Sequence, residues 1–188
     1  MGVIPALILA FVVIGVAVYA VMIYNGLIAM RNDIDKSWAN IDVLLKQRHD
    51  EVPRLVDVCK GYMQYERETL QSLIQACSLY AAATTIGQKV QASSNLTASV
   101  GKVFAVAENY PALKANQSFL EIQKRITELE SQIADRREFY NDSINVFNTR
   151  LQQVPDAYVA ALFSVRPRPM FVVSAADKAP VHVELSAH

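Results

Sequence analysis

Charged side chains are missing from the first part of this sequence, since all 18 basic and all 18 acidic residues occur at Arg31 or later. This excludes an ordinary water-soluble N-terminal segment. The formal net charge of zero over 188 residues lacks the basic surplus that non-specific nucleic-acid binding requires. A hydrophobic content of 52% excludes a chain that is disordered throughout. The length corresponds to about one domain.

Glycine and cysteine are also scarce. Beyond the uncharged segment only Gly61, Gly87 and Gly101 remain, and strand-type alternation is absent before residue 170, which argues against a β-rich fold. The two cysteines, Cys59 and Cys77, fall on apolar helical positions, so we expect buried free thiols. On one helix they would lie about 27 Å apart, too far for a disulfide.

Recognisable catalytic and metal-binding motifs are absent. The sequence has no Glu-x-x-His pair, no Gly-x-Ser-x-Gly elbow and no phosphate-binding glycine loop. The side chains of His49, Asp50 and Glu51 would diverge around a helix, which disfavours a metal site there, and His182 and His188 lie in the tail. We therefore predict no catalytic, cofactor-binding or metal-binding residue, and a protein that is not an enzyme.

The uncharged segment contains an apolar run at residues 3–24, about 22 residues or roughly 33 Å of helix, long enough to cross a bilayer. Tyr19 and Tyr24 would lie at the interface. The alternative is a cleaved signal peptide, but the run is long for one and no Lys or Arg precedes it. Arg31 and Lys36 follow it, so the positive-inside rule predicts a cytoplasmic C-terminal domain on a bacterial inner membrane.

The remainder predicts long helices. One apolar stripe covers residues 117–154 at spacings of three and four, and Pro155 ends it. An earlier stripe continues from residue 34 to residue 80 and predicts one long kinked helix, or two nearly collinear ones. A polar loop is expected over 84–95 and a shorter helix over 96–107, with one or two helical turns at 156–163.

These elements predict an all-α fold, in which an N-terminal transmembrane helix continues into an elongated antiparallel three- or four-helix bundle. The predicted organisation is a single-span anchor at 1–24, a bundle at 25–165 and an irregular tail at 166–188. Within the tail, residues 170–173 are expected to be extended.

Polar residues on the 117–154 helix are candidates for an interaction site or an inter-helix network. Arg136 and Arg137 interrupt the stripe, and either snorkel outward or pair with a carboxylate, for which Glu66, Asp57 or Glu108 could serve. A second group shares a face at helical spacing, which suits inter-helix hydrogen bonds or a solvated face. It consists of Asn141, Asn145 and Asn148.

An ordered series of motifs resembles the LemA family over roughly residues 20–185. The matching motifs are Tyr24-Asn25-Gly26-Leu27, Arg31-Asn32, Trp38-Ala39-Asn40-Ile41-Asp42-Val43, Leu45-Lys46 with Arg48, Val52-Pro53, Leu55-Val56, Lys60-Gly61-Tyr62, Ala107-Glu108, Tyr110-Pro111, Leu113-Lys114-Ala115-Asn116, Phe139-Tyr140-Asn141, Asn148, Pro155, Leu162-Phe163, Pro169 and Phe171. Tyr65-Glu66 departs from a frequent His-Glu pair, and Glu51 replaces an apolar residue. The resemblance implies a bacterial membrane-anchored helical bundle without an assigned enzyme activity, and carries over no functional residue.

The expected function is an interaction or scaffold module of the bacterial envelope. Its expected partners are the bilayer through residues 3–24 and an unidentified protein or a second copy, with no nucleic acid, metal or cofactor. The alternative is an accessory or regulatory subunit of a membrane-bound enzyme or stress-response system, or an assembly of a specialised, magnetosome-type membrane.

Overall fold

The computed structural model describes residues 3–171, and the regular structure of this part is helical. The all-α prediction is confirmed. Six helices occur among the described residues: α1 (Val3–Lys60), α2 (Arg67–Ala82), α3 (Ile86–Ala107), α4 (Pro111–Lys114), α5 (Gln117–Arg150) and α6 (Asp156–Leu162).

Helix α1 joins the apolar segment to the rest of the chain without a loop. Its large side chains from Val3 to Met22 are more than half exposed, whereas Ile23 and Leu27 are 5% and 0% exposed. Pro53 lies inside the helix, which continues to Lys60. The exposed segment therefore leads directly into a helix with one buried face.

The stripe predicted to form one helix, or two collinear ones, is divided by a turn at residues 61–66. The amides of Tyr62 and Met63 both donate to the Cys59 carbonyl and close the turn. Helix α2 then runs back along α1, since the rings of His49 and Tyr80 lie 5.3 Å apart. The prediction was wrong because both helices bury the same phase of apolar residues against one core.

Helix α3 begins earlier than predicted. The expected polar loop over 84–95 is helical from Ile86, because Thr85 and Gln88 form a capping box. The Thr85 hydroxyl accepts from the Gln88 amide at 3.2 Å, and the Gln88 side chain accepts from the Thr85 amide at 3.1 Å. The sequence pattern Thr-x-x-Gln marks this start.

The C-terminal helices follow the prediction more closely. Helix α5 ends at Arg150, four residues before the predicted end at 154, and a turn leads into α6 at Asp156. Phe171 is 4% exposed. The extended piece and tail expected beyond residue 171, including His182 and His188, lie outside the described residues.

The described chain divides into two compact units. The first combines residues 3–44 with 132–170, and the second combines residues 45–131 with Phe171. In the first unit, the buried side chains come from α1, α5 and α6. In the second, α1, α2, α3, α4 and α5 supply a core centred on Leu55, Leu73 and Leu96.

Candidate functional site

The most unusual buried side chain is Arg48, in the second unit. It is 1% exposed, among the lowest values in the described chain. Its position continues the spacing of three and four that Ile41, Leu45 and Val52 follow along α1. Arg48 thus occupies a core position of the helix, where an apolar residue is ordinarily found.

The Arg48 guanidinium bonds to the hydroxyl face of α3. Its Nη1 donates to Thr97 Oγ1 at 2.6 Å. Its Nη2 donates to Ser93 Oγ at 2.8 Å and to the Ser93 carbonyl at 3.1 Å. A planar guanidinium can make these contacts in parallel, which an ammonium group cannot do in this geometry.

The charge of Arg48 is balanced from α5. Its Nη1 lies 3.5 Å from Glu130 Oε1, and the Glu130 side chain is 33% exposed. Burial lowers the pKa of Arg48, and Glu130 opposes that effect. Among the residues 3–171, Nε finds no hydrogen-bond partner. This network connects α1, α3 and α5, and a buried ion pair of this kind adds little net stability because desolvation of the charges offsets their attraction.

A groove of about 310 Å³ lies between α1 and α2 in the same unit. Val52, Val56 and Ile74 supply apolar walls, and Cys77 contributes a thiol. Burial raises the pKa of Cys77, with a further contribution from Asp50, so the thiol stays protonated near neutral pH. The groove is suited to apolar contact and provides no activated nucleophile from this cysteine.

The predicted arginines have different surroundings. Arg136 is exposed and Arg137 is half-buried. Two of the carboxylates considered for them have other contacts: Asp57 pairs with Lys60 at 3.3 Å, and Glu66 accepts from the Tyr110 hydroxyl at 3.4 Å. Whether Arg136 or Arg137 contacts a partner protein stays a prediction.

The predicted asparagines divide similarly. Asn145 is exposed, and Asn141 is half-buried. Asn148 binds the backbone of Arg168 twice, donating to its carbonyl and accepting from its amide, both at 2.9 Å. Arg168 Nη2 in turn contacts both carboxylate oxygens of Asp35, at 3.1 and 3.3 Å. Asn148 therefore attaches the segment after α6 to α5 in the first unit.

Sequence reasoning missed Arg48, although a signal existed. The earlier stripe skips from Leu45 to Val52, and Arg48 fills the missing position of the repeat. Because arginine is counted as polar, the apolar pattern alone does not select this position. Arg137 was selected because it interrupts the apolar stripe of the 117–154 helix, and it is only half-buried.

The end of the first unit next to the exposed apolar segment is organised around α1 and α6. The rings of Tyr24 and Phe163 lie 4.5 Å apart. Arg150 Nε donates to the buried carboxylate of Asp156. The Arg150 guanidinium also lies against Gly26, where an added Cβ would come within 3.3 Å of Nη2.

Helix α1 is the one helix within residues 3–171 that is long and apolar enough to cross a membrane, with a mean hydropathy of 2.9 over its most apolar window. Within the same residues, no group of three His, Cys, Asp or Glu side chains is placed to hold a metal ion.

The LemA family model matches residues 37–185. The chain belongs to the LemA family. Two similar relatives are the magnetosome proteins MamQ 1 and MamQ 2 of Paramagnetospirillum magneticum, each 21% identical over 186 residues, covering 85% of this chain and 68% of the relative. The protein LemA of Metamycoplasma hominis is 26% identical over 148 residues, covering 74% of this chain and 68% of the relative.

Family membership agrees with the arrangement of α1. The matched region begins at residue 37, after the candidate span, and includes Arg48 with its partners on α3 and α5. Family and candidate span together support a membrane-associated protein, and the family is not known for an enzyme activity. The expected resemblance is thereby confirmed.

Proposed function

We propose that this LemA-family protein is a single-span membrane protein whose helical domain serves as an interaction or scaffold module. The observation that carries the proposal is the continuity of α1. One helix contains both the exposed apolar segment up to Met22 and the buried positions from Ile23 onward. A partner bound to the helical domain would thus be held at the bilayer.

The proposal includes an orientation. Arg31 and Lys36 are exposed on α1 just beyond the apolar segment. Basic flanks are retained on the cytoplasmic side, which supports a cytoplasmic helical domain on a bacterial inner membrane.

Topology is tested with two fusions to the full chain, placed after His188. One reporter is active only in the cytoplasm, and the other only outside it. We expect activity from the first alone. The reverse pattern would overturn the orientation. A fusion protein that stays in the soluble fraction after carbonate washing would overturn the anchor.

The scaffold function is tested by crosslinking in the native host, followed by purification in detergent. We expect a stoichiometric crosslinked product, either with one protein or with a second copy. A matched control replaces residues 3–22 by leucines, which keeps the anchor and alters its sequence. The product should persist in this control, because the helical domain is unchanged. Absence of any stoichiometric product from the native chain would overturn the proposal.

A second candidate is an assembly role in a specialised membrane, favoured by the similarity to the two magnetosome proteins. Imaging a fluorescent fusion in the native host separates the two. A uniform envelope signal supports the general scaffold, whereas a signal restricted to internal membranes supports the second candidate.

A further inference from the structure

Helix α6 buries small side chains and exposes large apolar ones. Its small side chains Val159 and Ala160 are 8% and 4% exposed, whereas Tyr158 and Leu162 are 73% and 75% exposed. A surface helix ordinarily buries its large apolar side chains and exposes its small or polar ones. Tyr158 and Leu162 are four residues apart and therefore share one face of α6.

Large apolar side chains are also exposed on either side of the helix. Val154, in the turn before α6, is 73% exposed, and Phe163, directly after it, is 49% exposed. We call Val154, Tyr158, Leu162 and Phe163 the α6 patch. Large apolar groups concentrated in so short a segment mark an interaction surface more often than isolated exposed side chains do.

The α6 patch lies beside the apolar segment of α1, which favours a lipid bilayer as the partner that covers the patch. Phe163 packs on Tyr24 at 4.5 Å between ring centroids. Tyr24 is the last residue of the apolar run, and the continuous run of exposed large apolar side chains on α1 ends at Met22. Through Phe163 the patch therefore meets the end of the exposed apolar segment of α1, where aromatic rings would favour a bilayer interface.

The neighbouring charges suit the same level. Arg166 is exposed three residues after Phe163, and Arg31 is exposed two turns beyond Tyr24. Exposed guanidinium groups beside an apolar surface can bind lipid phosphate groups.

We propose that α6 is a second, interfacial membrane contact, which inserts its exposed apolar face into the headgroup region beside the α1 span. This inference rests on the proposed membrane anchoring by α1. It adds that the C-terminal end of the helical domain is held on the bilayer surface, so that the domain is attached at two places.

The test uses the full chain in lipid nanodiscs that hold one copy each, with lipids brominated at shallow or deep acyl positions as quenchers. Trp38 is replaced by Phe, and single tryptophans are introduced by Tyr158→Trp, Phe11→Trp or Phe139→Trp. Phe139 is 59% exposed on α5 and neighbours Tyr140, which packs on Trp38, about two α1 turns beyond Arg31.

We expect the Tyr158→Trp emission to shift to shorter wavelength in nanodiscs and to be quenched most by shallow bromines. The Phe11→Trp emission should be quenched most by deep bromines, and Phe139→Trp by neither. Quenching of Phe11→Trp without quenching of Tyr158→Trp would overturn this inference alone. Loss of both would overturn the anchor as well.

One further outcome is decisive, and one control decides how the tryptophans are introduced. If Tyr158→Trp shifts only when several copies share a vesicle, a second copy covers the α6 patch and the inference is wrong. If Trp38→Phe lowers the helical circular dichroism signal, the substitutions are made with Trp38 in place. The emission of the parent chain is then subtracted.

Discussion

Arg48 of α1 and Glu130 of α5 form an ion pair with 3.5 Å between Nη1 and Oε1. The guanidinium is buried, whereas the carboxylate side chain is partly exposed to solvent. Ser93 and Thr97 complete the guanidinium contacts from α3. Because a buried cation is costly without its counter-charge, removal of the Glu130 carboxylate would leave the Arg48 guanidinium buried without an anion.

Replacing Glu130 by glutamine should lower the free energy of unfolding by about 1 to 3 kcal/mol, because a charge-assisted contact is lost while the cation stays buried. Arg48→Met should cost less in the Glu130→Gln background than in the native chain, since no carboxylate is then left without its cation. Chemical denaturation followed by circular dichroism in detergent measures all four chains. Additive effects would contradict a direct interaction.

The helical content and several helix ends could be predicted from apolar spacing and proline positions. The break at Pro155 and the helix that begins at Asp156 are marked by the local sequence, so predicting them required no knowledge of the fold. The reversal at 61–66 could not be predicted, since Leu55 and Leu73 keep one apolar phase on two antiparallel helices that share a core.

The candidate sites were harder to predict than the fold. Arg48 is buried only because Ser93, Thr97 and Glu130 converge on it from two other helices. No local pattern contains that information. Asn148 could be selected from its helical face, but its partner is the Arg168 backbone, which any residue type could supply.

Asn148→Ala should release the segment after α6. Both 2.9 Å contacts to Arg168 would be lost, and the loss should cost about 1 to 3 kcal/mol of local stability. Hydrogen exchange at the Arg168 amide should accelerate accordingly. Asn145→Ala is the matched control, because Asn145 is exposed on the same helix and a surface substitution there should change stability by less than about 0.5 kcal/mol. Equal acceleration in both variants would contradict this role.

The stability of the chain should fall at alkaline pH partly through Cys59. Burial raises the pKa of this thiol from 9.0 to about 11, so the folded state keeps a proton that the unfolded state releases. The contribution is fully present below pH 9 and is lost as the pH rises to about 11. It amounts to roughly 2 to 3 kcal/mol.

Cys59→Ala isolates this thiol from the other groups that titrate in the same range. The stability difference between the native chain and Cys59→Ala should be constant up to pH 9 and should shrink by about pH 11. Denaturation at stepwise pH measures it. A difference that stays unchanged across this window would show that the thiol does not titrate differently in the two states.

Gly26 and Gly15 provide a matched pair on α1. A Cβ at Gly26 would lie 3.3 Å from Arg150 Nη2, whereas a Cβ at Gly15 would meet no atom within 4 Å. Gly26→Leu should therefore displace the Arg150 guanidinium and leave the carboxylate of Asp156, which is 9% exposed, without its cation. A loss of about 1 to 3 kcal/mol is expected, while Gly15→Leu should be tolerated because its side chain faces open space.

Thermal unfolding in detergent compares Gly26→Leu, Gly15→Leu and Arg150→Met. Combining Gly26→Leu with Arg150→Met should cost clearly less than the sum of the single substitutions, because the guanidinium that the leucine displaces is already gone. Full additivity, or an equal loss from Gly15→Leu, would show that Gly26 is needed only for helix packing and not for the position of Arg150. The expected coupling would instead tie the end of the membrane span to α6 through one side chain.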